Sequence, residues 1–166
     1  MSTSTRRAGL ALAAAGIALA TLTACGGAAE TITEQAMEEA TGGDVAINDE
    51  GITMTDDEGN QMAIGEGVAV PDNWPSNIPL YDGTLVMVSS AADGTASASW
   101  TTDGDAASVA DAYGAQLEDA GYSLQSDSNF DGSILREYSS SELIITVRAG
   151  QADGVTSLTM TAVPAN

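Results

Sequence analysis

The chain has 166 residues, room for one ordinary domain, and a formal net charge of −20 from 24 acids against four arginines. It holds no lysine and no histidine. A Ser-His-Asp triad, a Cys-His pair, a Schiff-base lysine, a Walker phosphate loop and a histidine-ligated zinc site therefore lack their parts. No basic stripe is available to displace counterions, so nucleic acid is excluded as a partner. Hydrophobic residues make up 43% but aromatics only 4%, and much of the apolar content is alanine. The core must rest on scattered Val, Ile, Leu and Met, and its size is modest.

Residues 1–24 fall into three parts. Met1 to Arg7 is short and positively charged. Ala8 to Ala20 is an uncharged run of Ala, Gly, Leu and Ile, and Thr21 to Ala24 leads with mostly small residues into Cys25. That is the layout of a secretory signal, because about 13 apolar residues are too few for a bilayer span of about 20. Leu22-Thr23-Ala24-Cys25 resembles the lipobox of prokaryotic lipoproteins. The resemblance implies cleavage between Ala24 and Cys25, a diacylglycerol on the Cys25 thiol, and a protein exported and anchored to the outer face of the cytoplasmic membrane. The alternatives are an ordinary cleaved signal that a Cys happens to follow, or a free buried thiol. All 24 acids lie beyond residue 24, where Arg136 and Arg148 are the only cations. Such a body has no polybasic patch for an anionic bilayer, so its membrane partner is reached through lipid alone. Thr5-Arg6-Arg7 also resembles a twin-arginine export signal, though paired arginines are common in ordinary secretion signals.

Residues 25–30 form a Gly- and Ala-rich tether. Over 31–40 the capping-box spacing of Thr31 and Glu34, with Ile32, Ala36, Met37 and Ala40 on one face, predicts a short helix. Gly42-Gly43 ends it. Up to residue 70, Val45–Ile47, Ile52–Thr55 and Gln61–Ile64, separated by acidic Gly-containing turns, predict a small β-meander. Residues 71–83 hold Pro71, Pro75 and Pro79 beside Trp74, Ile78 and Tyr81, an ordered connector. The remainder, 84–166, carries most of the core. Strands at Leu85–Ser90 and Ala96–Thr102 flank Asp93-Gly94. A helix runs from Asp105 through Ala120, its core face made by Val109, Tyr113, Leu117 and Ala120. Strands follow near 122–126, 134–139, 142–147 and 155–163. The expectation is α+β: a short N-terminal helix and meander, then a two-layer β-β-α-β-β-β-β antiparallel sheet with one helix packed on it. Residues 30–163 resemble small, functionally uncharacterised lipoproteins that carry a Pro-rich stretch before a β-β-α-β-β unit. That resemblance implies architecture and envelope location only.

The best lead to a cofactor is Asp127-Ser128-Asn129-Phe130-Asp131-Gly132-Ser133-Ile134, which matches the first eight positions of a calcium loop, with donors at Asp127, Asn129 and Asp131. The twelfth position, which should be a bidentate Glu, is Tyr138. A hairpin turn at Asp131-Gly132 is the stronger reading. The acidic turn 56–60 has the same two readings, and Trp74, Tyr81 and Trp100 read either as packing residues or as an aromatic platform for a glycan or peptide. The expected function is a non-catalytic, lipid-anchored binding or structural module whose protein or glycan partner stays open. A calcium-dependent surface module is the alternative. Last comes an enzyme using carboxylates alone on envelope glycans.

Overall fold

A computed structural model describes residues 38–39 and 43–165. Signal, lipobox, tether and most of the expected first helix lie outside them. Nine strands are described: β1 (Asp44–Asn48), β2 (Gly51–Thr55), β3 (Gln61–Ile64), β4 (Thr84–Ser90), β5 (Ala96–Thr102), β6 (Ser123–Phe130), β7 (Ser133–Ser139), β8 (Leu143–Ala152) and β9 (Val155–Pro164). They form one antiparallel sheet in the order β1-β2-β3-β4-β5-β9-β8-β7-β6, with the helix α1 (Ala106–Asp119) packed on it. The protein is a small α+β fold. Its meander is not a separate sheet, because β3 pairs with β4, Ala63 opposite Val88.

Turn chemistry sets the hairpins. Asp131-Gly132 and Asp153-Gly154 both have positive φ at their two residues, the pair that a two-residue hairpin loop matched to strand twist requires. At the β4–β5 loop the Asp93 carboxylate accepts the Thr95 N–H at 2.8 Å. The helix starts where the Asp105 carboxylate accepts the Ser108 N–H at 3.0 Å. It ends in a Schellman arrangement: Gly121 at φ 94 donates to the Glu118 carbonyl and Tyr122 to the Leu117 carbonyl. Ala120, expected on the core face, is instead the exposed C-cap. From β5 the chain crosses the sheet in α1 to the far edge strand β6, then returns inward through β7 and β8 until β9 closes on β5.

One sheet face is covered. Val109, Ala110, Tyr113 and Leu117 of α1 lie against a floor that includes Tyr138, Ile145, Val147, Ala149, Leu158 and Met160, all nearly inaccessible. Fully burying one such aliphatic side chain contributes roughly 1.5–3 kcal/mol, so this helix face is the main tertiary bond of the fold. The connector and the residues just before it cover the same face farther along, with Val68 and Ile78 buried and Trp74 and Tyr81 packed against the core. Tyr81 meets Trp100 and Tyr113 edge-on, with centroids 6.3 and 6.1 Å apart. The helix passes close over Tyr138 of β7 at Gly114. A Cβ there would collide with the Tyr138 hydroxyl, so any side chain at this position forces its surroundings to shift.

Candidate functional site

Lipobox residues Leu22, Thr23, Ala24 and Cys25 lie outside the described residues. The three expected calcium donors lie within them, and the structure divides them. β6 runs on to Phe130, farther than expected, so Asp127 and Asn129 sit in a strand and not in a loop. The Asp127 carboxylate accepts from Arg136 Nε at 3.1 Å, while Arg136 Nη2 reaches Asp111 on α1 at 2.7 Å. Arg136 thus ties helix to sheet, its side chain 13% exposed. Asn129 Oδ1 accepts the Gly132 N–H at 3.3 Å, and Asp131 occupies the first position of the turn at φ 50. Asn129 and Asp131 border a hollow together with Asp105; Asp127 borders a different one with Asp111 and Arg136. The geometry here is that of a hairpin turn. Among the described residues, no group of three or more Cys, Asp or Glu side chains is arranged to hold a metal ion.

The acidic turn at 56–60 closes on itself. Asp56 Oδ1 accepts the backbone N–H groups of Glu58 and Asn60, each at 2.9 Å, and Oδ2 accepts the Asn60 side-chain amide at 2.8 Å. Those Asn60 bonds hold the Asp56 carboxyl below its ordinary pKa. The aromatic platform does not form, because Trp100 is 1% exposed and lies in the core. Trp74 donates its indole N–H to the Ile78 carbonyl at 3.2 Å, which braces the connector. A glycoside-cleaving pair needs one carboxyl whose pKa is raised. Asp105, which shares a hollow with Asp131, is shifted the other way by its bonds from Ser108.

Sequence reasoning missed the surface opposite α1. Across β5, β9 and β8 the residues facing away from the helix include Ser97, Ser99 and Thr101, then Ser157, Thr159 and Thr161, then Thr146 and Arg148, with apolar Val155, Val163 and Ile144 towards the strand ends. Ser99 and Thr159 share a hydroxyl–hydroxyl bond at 3.1 Å. Arg148, Ser157, Thr159, Ser133 and Gly150 outline a shallow hollow of about 280 Å³. A guanidinium amid hydroxyls offers many donors to a polar, oxygen-rich ligand and supplies no general base or nucleophile-activating group. The sequence signal was the Ser/Thr alternation in these strands, whose common face only the register reveals. Comparison with family models, with curated proteins and with solved structures finds no match to this chain.

Proposed function

We propose that this chain is an exported lipoprotein, cleaved before Cys25, held to the outer face of the cytoplasmic membrane by diacylglycerol on that residue, and non-catalytic. One observation carries the reading: Leu22-Thr23-Ala24-Cys25 stands in register after a short basic end and an apolar run. The charge distribution supports it, since Arg136 and Arg148 are the only cations in the body and Arg136 is spent internally. In this reading residues 25–30 are the tether, residues 31–40 a short helix, and the sheet presents its hydroxyl-lined face as the binding surface. Two or three acyl chains suffice for stable anchoring at roughly 0.8 kcal/mol per buried CH₂.

Metabolic labelling with a radioactive fatty acid tests the proposal. The wild-type chain should carry label into the membrane fraction and Cys25→Ser should carry none. Label persisting on Cys25→Ser would overturn it.

A further inference from the structure

The sheet face away from α1 carries a notch, and an unpaired cation stands at its rim. Arg136 is tied to Asp111 and Asp127, whereas Arg148, exposed on β8, makes no ion pair and no side-chain hydrogen bond among the described residues. The notch exists because Gly150, two residues beyond Arg148 on the same face, has no side chain. A Cβ at Gly150 would already touch the Ser133 Oγ at 3.4 Å. Across β8 and β9, Ser157 pairs with Gly150 and Thr159 with Arg148. These five residues outline the hollow of about 280 Å³. The Thr159 hydroxyl is shared with Ser99, but those of Ser133 and Ser157 have no hydrogen-bond partner among the described residues. The acid closest in register on this face, Glu137, stands opposite Thr146 one row farther along and makes no ion pair with Arg148.

We infer that this hollow takes one oxyanion group, a carboxylate or a phosphate, carried by a small ligand whose other polar groups meet the hydroxyls beside it. The inference rests on the reading of this face as the binding surface and narrows that reading to a ligand class. A guanidinium offers five N–H donors in a fixed fork that matches the paired oxygens of either group. Two unpartnered hydroxyls complete the donor set around the missing side chain. A neutral ligand would use the hydroxyls and leave the guanidinium unanswered. Charge also limits the ligand's size. Against 24 acids a polyanion is repelled along its whole length, whereas a single anionic group seated within about 8 Å of Arg148, the Debye length, feels that cation first. Thr159 and Ser99, in the same row as Arg148, continue the hydroxyl surface, while Leu135 on the other side of Arg148 and Val155 by the β8–β9 turn bound it with apolar edges. An acidic saccharide fits: its anion on Arg148, its ring hydroxyls along Thr159 and Ser99. The hollow is shallow and open to water, so the affinity for a single sugar is on the order of millimolar.

NMR titration of the full chain in a neutral detergent tests this, with glucuronate, glucose 1-phosphate, inorganic phosphate and glucose as probes. The two sugar anions should shift the Arg148 side-chain Nε–H signal and the amides of Gly150 and Ser157 saturably, and glucose should not at the same concentrations. Arg148→Gln should weaken both anions about tenfold or more, the loss of a charge-assisted hydrogen bond. Gly150→Val, which fills the notch with Arg148 in place, should do the same. Should Gly150→Val unfold, Arg148→Gln decides alone, since that side chain is exposed. Inorganic phosphate binding as tightly as the sugar anions, or more tightly, supports recognition of the oxyanion by itself, and weaker binding supports an acidic saccharide. No saturable shift with any anion, or binding that Arg148→Gln leaves unchanged, overturns the inference. Glucose binding as tightly as glucuronate also overturns it, while upholding the hydroxyl face as a binding surface. Fatty-acid label measured on the wild-type chain reports on the anchoring proposal separately.

Discussion

Tyr113 of α1 donates its phenolic hydroxyl to the carbonyl of Pro79 at 3.0 Å, fastening the helix to a connector 34 residues earlier in the chain. The ring is fully buried, and burial pushes its pKa well above the ordinary tyrosine value. Tyr113→Phe keeps the packing against Trp100 and removes the donor, leaving the Pro79 carbonyl unsatisfied. The expected loss is about 1–3 kcal/mol in urea unfolding. An unchanged midpoint would mean that solvent reaches that carbonyl.

At Gly114 the ordinary helix rule is reversed. In an exposed helix Gly→Ala stabilises by about 1 kcal/mol. Here the added methyl meets the Tyr138 hydroxyl, so Gly114→Ala should destabilise by about 1–3 kcal/mol, the usual cost of overpacking. Combining it with Tyr138→Phe should recover part of the loss, because the colliding atom is gone. A double-mutant cycle with no coupling would contradict the close approach.

The cap of α1 gives a pH signature. Hydrogen bonds from Ser108 lower the pKa of Asp105. A depressed carboxyl stabilises the fold fully above the unfolded value of about 3.9 and loses that contribution as pH falls through its folded value. Asp105→Ala should therefore lower Tm by a few degrees at pH 7, with the gap to wild type closing below about pH 4. A gap that is constant down to pH 2 would show that the carboxylate does not cap.

Calcium should leave Tm unchanged, since Asp127 is taken up by Arg136 and Asn129 by its own turn. Thermal melts across a calcium titration check this. A rise in Tm that Asp131→Ala abolishes would establish a site at the β6–β7 turn instead.

Much of the fold could be read from local chemistry. Asp105 and Gly121 mark the ends of α1 because capping is decided by neighbouring residues, and Asp93-Gly94 and Asp131-Gly132 announce their hairpins for the same reason. The Asp153-Gly154 turn carries an equal local signal, with positive φ at both residues. What local pattern does not hold is pairing between distant strands. That β9 closes on β5 and that Ala63 meets Val88 are both matters of register. The partner of Asp127 is hidden from local pattern for a related reason: Arg136, nine residues beyond it, lies directly opposite across the hairpin and donates to its carboxylate.

Envelope anchoring through Cys25 is the claim on which the functional reading depends, and the intact mass of the protein recovered from membranes tests it most directly. The account predicts a chain beginning at Cys25 and heavier than the polypeptide by a diacylglyceryl group, with or without one further acyl chain. A mature chain that begins at any other residue, or one beginning at Cys25 with no added mass, would contradict it.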